Sequence, residues 1–589
     1  MASGAVPQPP FLPMTREEME LLGWKELDVL LVSGDAYVDH PSFGTALLGR
    51  WLCAHGFRVG VVAQPRWDRV DDVERMGRPR LFAGAGAGAL DSLLAHYTAF
   101  RKKRSDDAYT PGGKAGARPN RASIVYAGLL KRVFPGLPVV LGGVEASLRR
   151  AAHYDFWSDA LRRSILLDAK ADLLVCGMGE RAVLELARRL DAGGDKNDWR
   201  RVPGVAFVGK PEDIPAGAEV LALPSYEEIL ADPKKLMSAT LALERQMMGG
   251  RWAAQAHGAP SVLPSHRPAD APGRQRGGAR SVLFTPVAEP LSTAELDALY
   301  GLPFARAAHP SYREEIPAVE MIRGSVVSHR GCAGGCSFCA LALHQGRRIA
   351  SRSQASIEGE VRALSKSAGF DGSVSDVGGP SANMWGARCA ADPAKCRRES
   401  CLTPALCPHF QDDQEGLVEL LRALKRLPGV QHVRVASGVR HDLAARSPAY
   451  QRALAAEFTG GQLKLAPEHA CERVLELMRK PSFKAFEEFL TVFERESKAA
   501  GKEQFVVPYL MSAFPGCTEA DMHALARWLK RRGWKPRQVQ CFVPTPGTVA
   551  AAMFFGGTDP AGNPIPVART DAQRLRQHAI LVGDWGKVE

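Results

Sequence analysis

The chain contains no run of eighteen or more apolar residues, the length a membrane-crossing helix requires, so no membrane association is expected. Met1 to Met14 is rich in proline and lacks the continuous apolar centre of a secretory signal. A cytoplasmic location is the expectation. Charge of one sign is not concentrated either. The net charge is +12 over 589 residues, and the short basic clusters at Arg101 to Arg104 and Lys530 to Arg532 have no interleaved aromatics. A stacking platform for single-stranded nucleic acid needs such aromatics. A nucleic-acid partner is therefore supported only by overall charge, and solvated helix faces account for the clusters. The twelve cysteines, in a reducing compartment, point to metal ligands and buried thiols and not to disulfides. Hydrophobic residues make up 45%, enough for large cores, and the length suggests about three or four domains.

What is present is most concentrated in Gly331-Cys332-Ala333-Gly334-Gly335-Cys336-Ser337-Phe338-Cys339, a C-x3-C-x2-C spacing with an aromatic residue before the last cysteine. Three thiolates on one glycine-rich loop can bind three irons of a [4Fe-4S] cube and leave the fourth open to an exogenous ligand. The glycines let the loop wrap the cluster and turn amide N–H groups toward its sulfurs. A zinc loop would favour paired C-x2-C units with further ligands downstream. The spacing, with Phe338 in place, is the signature of the radical S-adenosylmethionine (SAM) superfamily.

Periodicity organises the rest. Val29 to Val32, Val59 to Ala63, Val139 to Leu141 and Leu173 to Val175 read as buried strands feeding helices, one with Phe43, Leu47, Trp51 and Leu52 on a single face. This predicts a Rossmann-like, doubly wound α/β domain over 1–210, with ligands beyond the strand ends at Ser33 to Phe43, Gly142 to Ser147 and Gly177 to Glu180. Residues 211–300 read as a linker or insertion, because Gly249 to Arg280 is rich in Gly, Pro, Ala and Arg. Over 301–560, strands are expected to begin near Ser325, Ser373, His432, Gln462, Gln504 and Gln538, with helical stripes such as Ile357, Val361, Leu364 and Leu417, Leu421, Leu424 between them. Strand–helix units in this number predict a partial (β/α)6 barrel with its catalytic loops at the carboxyl ends of the strands. Residues 561–589 form a C-terminal tail.

An insert over 386–410 carries Cys389, Cys396, Cys401 and Cys407, with His409 nearby. Their C-x6-C-x4-C-x5-C spacing fits no common zinc finger. Few apolar residues surround them, so a metal, either zinc or a second iron–sulfur cluster, is expected to order the loop; the alternative is four free thiols.

The chain resembles the YgiQ-type radical SAM proteins from Pro9 to about Gly557. The resemblance rests on Val32 to Gly44, Gly142 to Arg150, the cysteine run through Arg347, Asp376 to Met384, Ala466-Pro467-Glu468-His469 and Pro544-Thr545-Pro546. It implies a [4Fe-4S] cluster on Cys332, Cys336 and Cys339, with SAM chelating the open iron and cleaved to a 5′-deoxyadenosyl radical. It implies no substrate. Superfamily practice puts SAM against Phe338, against the backbone of Gly378, Gly379 and Pro380 after the second strand, and against Ser437 and Arg440 after the third. Pro380 stands where many members carry an acidic residue. Glu468 and His469 are candidates for acid–base work, and Tyr509, Cys517 and Cys541 for radical transfer. A reductant such as flavodoxin or ferredoxin is the implied partner, and the N-terminal domain is a candidate cover for the barrel mouth.

Three other readings compete. A non-catalytic iron–sulfur scaffold or redox sensor would not need Gly378, Gly379 or Ser437. A cobalamin-dependent methylase is opposed by Asp39-His40-Pro41-Ser42-Phe43-Gly44, which departs from the Asp-x-His-x-x-Gly ligand pattern. A tRNA methylthiotransferase would carry three cluster cysteines in its N-terminal domain, where this chain has Cys53 and Cys176.

Overall fold

The computed structural model describes residues 8–257, 280–367, 369–536 and 539–583. The chain divides into two units. The first comprises Met1–Glu289, Leu302–Val319 and Thr545–Gly556, and the second Pro290–Gly301, Glu320–Pro544 and Gly557–Glu589.

The first unit is built on a nine-stranded sheet. Val29–Ser33 lies one strand in from the sheet's parallel edge, between the edge strand Val59–Ala63 and Phe82–Gly86. Val139–Leu141 and Leu173–Val175 extend the parallel run. Val29–Ser33 is buried along its whole length because helices cover both faces of such a sheet. One of these helices, Gly44–Ala54, buries Leu47, Trp51 and Leu52, each large aliphatic side chain contributing about 1.5–3 kcal/mol. The coarse α/β expectation with a mostly parallel sheet therefore holds.

The region 211–300 is not a simple linker. Val220–Leu223, Trp252–His257 and Arg280–Phe284 continue the same sheet, joined to it through Val205–Gly209. The strand Trp-Ala-Ala-Gln-Ala-His is buried between neighbours yet nearly free of β-branched residues, so composition alone reads as loop. Most of the Gly249 to Arg280 stretch lies outside the described residues.

In the second unit, parallel pairings follow chain order. Ser325–Val327 pairs with Asp376–Gly378, and Ser373–Val374 with His432–Val433. Val439 bridges Leu465, Gln462–Glu468 pairs with Phe505–Ser512, and the latter with Gln540–Cys541. The expected strand start at Gln538 lies outside the described residues, two positions before the observed strand. Helices intervene where the apolar stripes place them. Gln354–Leu364 buries Ile357, Val361 and Leu364, and Gln414–Lys425 buries Leu417, Leu421 and Leu424. The longest, Phe483–Ala499, presents Phe483, Phe486, Phe489 and Phe493 inward, with Trp528 edge-on to Phe483 at 4.9 Å. No helix among the described residues is long and apolar enough to cross a membrane.

Candidate functional site

The three cysteines occupy one loop between a short hairpin and a helix. His329–Arg330 pairs antiparallel with Ala350–Ser351, which brings the chain into the loop, and Cys339 caps the helix Ala340–Gln345. Backbone bonds fix the ends: Cys332 N–H donates to Gly346 O at 3.1 Å and Cys339 N–H to Cys336 O at 3.1 Å. A second segment clamps the middle. Ser337 donates its N–H to Met478 O at 3.1 Å and its hydroxyl to Leu477 O at 2.6 Å.

Gly334 lies against the thiols. A Cβ on Gly334 would sit 3.5 Å from Cys332 Sγ, 3.7 Å from Cys336 Sγ and 3.1 Å from Arg440 Nη1. Any side chain there would press on the Arg440 guanidinium and on the Cys332 and Cys336 sulfurs. Burial pushes the Cys332 thiol up, opposed by the charges of Arg440 and Lys480, and pushes Cys339 up to about 12. Without a metal these groups are neutral thiols; ligation would require their protons to leave. Among the described residues, no three His, Cys, Asp or Glu side chains converge on a point where a single metal ion could sit.

Arg440 is the nearest cation. Its Nη1 donates to Cys336 Sγ at 3.8 Å, while Nε and Nη2 grip the two oxygens of Asp442 at 2.9 and 2.6 Å. Burial alone would raise Asp442, but Arg440 outweighs it and holds the carboxyl well below the usual range. Lys480 and Glu468 form a second buried pair at 3.7 Å. Glu468 ends its strand with a φ of +67°, an uncommon left-handed turn for a non-glycine residue. Lys480 and Asp442 were not anticipated from the sequence, since neither lies in a spacing pattern.

The glycine pair after the second strand is equally constrained. A Cβ on Gly379 would approach His329 O to 2.6 Å and His329 Nε2 to 2.7 Å. Burial lowers the His329 ring to about 4 despite a hydrogen bond to the Ser381 backbone, so it is a neutral imidazole beside a turn that carries no side chain. The Gly378 carbonyl accepts from Ser328 N–H at 2.8 Å. Asp376 binds the next loop, accepting Ala436 N–H at 2.8 Å, Ser437 N–H at 3.0 Å and the Ser437 hydroxyl. Asn383 ties the two loops together, accepting Arg440 N–H at 2.8 Å and donating to Arg440 O at 3.0 Å. The structure thus brings Gly378, Gly379, Ser437 and Arg440 into one bonded assembly with the triad, while Pro380 follows directly in the turn. Phe338 is half-buried and edge-on to Phe514 at 6.1 Å.

His469 is occupied. Its Nδ1 accepts Cys471 N–H at 3.0 Å, leaving Nε2–H to donate to Cys517 Sγ at 3.4 Å. Burial raises the Cys517 and Cys541 thiols.

The insert is not short of apolar packing. Cys407 lies in a buried cluster with Ala333, Met384, Ala387, Leu402, Phe410 and Leu443, against which Cys332, Ile349, Cys401 and Leu406 pack. The insert also reaches the triad loop, where Cys401 N–H donates to Ala333 O at 3.0 Å and Ser400 Oγ to Gly334 O at 2.6 Å. The sequence hides this because its contributors, Met384, Ala387 and Leu443, lie outside the cysteine run. A cavity of about 480 Å³ opens between Leu291, Ser292, Arg348, Ser351, Trp385 and Arg388.

In the first unit, two carboxylates of the anticipated ligand rim are paired internally. Arg118 spans Asp35 at 2.8 Å and Asp107 at 2.8 Å, and burial raises Asp35 to about 6. Asp39 is held by Arg50 at 2.5 Å and by the Tyr37 hydroxyl at 2.9 Å.

A cysteine loop of this form in a chain of parallel α/β construction marks a radical SAM enzyme, and residues 11–325 match the family model described as Radical SAM N-terminal. The chain is 51% identical over 576 residues to a UPF0313 protein of Geobacter sulfurreducens, covering 97% of this chain and 92% of that protein. It is 47% identical over 569 residues to one of Thermotoga neapolitana, covering 95% and 96%. With one of Methanosarcina acetivorans it shares 43% over 607 residues, covering 98% and 79%. The chain belongs to this UPF0313 family, the YgiQ-type radical SAM proteins. Among solved structures it matches the radical SAM methyltransferase TsrM of Kitasatospora setae, with a TM-score of 0.49 and 15% identity, over 88% of this chain and 74% of that one. It also matches the cobalamin-dependent SAM radical enzyme OxsB, with a TM-score of 0.46 and 9% identity, over 96% and 56%.

Proposed function

We propose that Cys332, Cys336 and Cys339 ligate a [4Fe-4S] cluster and that SAM occupies the adjoining space bounded by Phe338, Gly378, Gly379, Pro380, Ser437 and Arg440. When bound, this pair supplies reductive cleavage of SAM to a 5′-deoxyadenosyl radical for attack on a substrate. The carrying observation is the three cysteines on one clamped loop, with Gly334 against the Cys332 and Cys336 sulfurs and the Arg440 guanidinium donating to Cys336.

This chain's own residues then have distinct tasks. The loop glycines leave room for the cluster, and Arg440 offsets its negative charge from a position fixed by Asp442. Gly379 keeps the turn clear of a side chain, and His329 Nε2 lines it as a hydrogen-bonding group. Asp376 and Asn383 orient the loops that carry Ser437 and Arg440. We read the consecutively paired strands of the second unit as the partial (β/α)6 barrel of this enzyme class and the first sheet as its Rossmann-like doubly wound companion. A low-potential electron carrier of the flavodoxin or ferredoxin type is the reductant this chemistry requires.

The test is anaerobic reconstitution with iron and sulfide, followed by SAM and dithionite. Formation of 5′-deoxyadenosine supports the reading. A reconstituted, reducible cluster that leaves SAM intact would instead favour an iron–sulfur protein without this activity.

A further inference from the structure

We propose that Cys389, Cys396, Cys401 and Cys407 ligate a second iron–sulfur cluster, separate from that of the triad. The backbone gathers these residues from a long stretch of chain. Cys389 stands opposite Phe410 in the short antiparallel pair Arg388–Cys389 and Phe410–Gln411. Phe410 N–H donates to Cys407 O at 3.0 Å, and Cys407 N–H to Cys401 O at 2.7 Å. Cys396 closes the turn Pro393–Lys395, and Cys401 feels the charges of Cys407, Cys396 and Cys389 together. The four therefore form one neighbourhood centred on Cys401.

The four come from a short strand, the end of a turn and a loop. A structural zinc site draws four donors onto one atom. A polynuclear cluster assigns each thiolate to a different iron and so takes a wider set. Four ligands, one per iron, would leave no open position, which suits a structural or electron-handling cluster and not a second SAM site.

The surroundings also call for an anion. Arg347 makes no hydrogen bond or ion pair with any described residue, and its Nε is buried. Its charge lies close enough to Cys401 to oppose the effect of burial on that thiol. A partly buried guanidinium facing neutral thiols is an uncompensated charge, whereas one facing a thiolate-bound cluster is paired. Leu402, Phe410 and Met384 pack with Cys407, and Ile349 and Cys401 pack against that cluster, so the thiols meet an apolar surround that limits water access.

The experiment separates the two sites. The full-length triple variant Cys332→Ala, Cys336→Ala, Cys339→Ala is reconstituted anaerobically with iron and sulfide. It should keep about half of the wild-type iron, with sulfide-dependent visible absorption and an electron paramagnetic resonance signal after dithionite. Adding Cys401→Ser and Cys407→Ser should abolish both. Mössbauer spectra of the reconstituted wild-type protein do not depend on how the variants fold. They should show two cluster populations, only one of which changes when SAM is added. A single population would overturn the proposal. So would tightly bound zinc in place of iron, or four insert thiols that all react with iodoacetamide in the reconstituted protein. None of these readouts uses SAM cleavage, so failure here is distinguishable from failure of the triad reading.

Discussion

Arg440 reaches Cys336 with one N–H at 3.8 Å while its other face holds both oxygens of Asp442. The guanidinium is planar and delocalised, so a single side chain can serve a thiolate and a carboxylate at once. Arg440→Lys keeps the charge but offers a point donor that cannot do both. It should leave iron content near wild type, lower the cluster's reduction potential and slow SAM cleavage. Arg440→Met leaves Asp442 buried without its partner and should cost about 3–5 kcal/mol, read by thermal unfolding of the metal-free protein. A potential unchanged in Arg440→Lys would show that the contact to Cys336 has no electrostatic role.

Each single change Cys332→Ala, Cys336→Ala or Cys339→Ala should abolish the SAM-responsive cluster and 5′-deoxyadenosine formation. The loop's clamps at Ser337 and Gly346 do not involve the sulfurs, so the fold should survive. Circular dichroism checks the fold, and chromatography of the nucleoside checks the chemistry. Continued SAM cleavage by the variant lacking all three cysteines would remove the central reading.

How much of this was legible beforehand differs by residue. The triad was readable because its ligands are adjacent in sequence and chemically unmistakable. The strands at Ser325, Ser373, His432 and Gln462 were readable because helical stripes separate them. Lys480 and Asp442 were not, since their roles lie in pairing Glu468 and Arg440 and no motif spacing announces that. The strand Trp252–His257 was missed because its small residues carry little strand propensity and burial decides its state. The apolar support under the insert was missed for a different reason: Leu443 and Met384 come from outside the cysteine run. Arg440 was read as a contact for SAM; the structure adds the two commitments, to Cys336 and Asp442, that fix its position.

Gly379→Ala tests the turn after the second strand. The new Cβ would stand 2.6 Å from a backbone oxygen of His329, which cannot swing aside. Overpacking of this kind costs about 1–3 kcal/mol. The variant should assemble the triad cluster with normal absorption yet bind SAM much more weakly, as read by equilibrium dialysis. Wild-type SAM affinity in Gly379→Ala would separate this turn from the SAM site.

Three buried histidines make the second unit acid-sensitive. Burial lowers His329 to about 4, His469 to about 4 and His441 to about 3, from an ordinary value of 6.5. Asp521 and Arg473 act on His469, and Asp442, Lys480 and Arg440 on His441, but none outweighs burial. The sign follows from which state binds the proton. Below pH 6.5 the unfolded chain takes up protons that the native rings refuse, so stability is complete above that value and falls as the pH drops toward about 4. Each histidine contributes a slope of up to about 1.4 kcal/mol per pH unit in that window. The unfolding midpoint in urea should therefore decline steadily between neutral pH and pH 5. His469→Gln removes one titrating ring while its amide can still accept the Cys471 N–H. It should flatten the decline without erasing it. A midpoint independent of pH across this window would show that these rings are protonated or solvated in the native protein, and the neutral hydrogen-bonding roles assigned to His329 and His469 would fall with it.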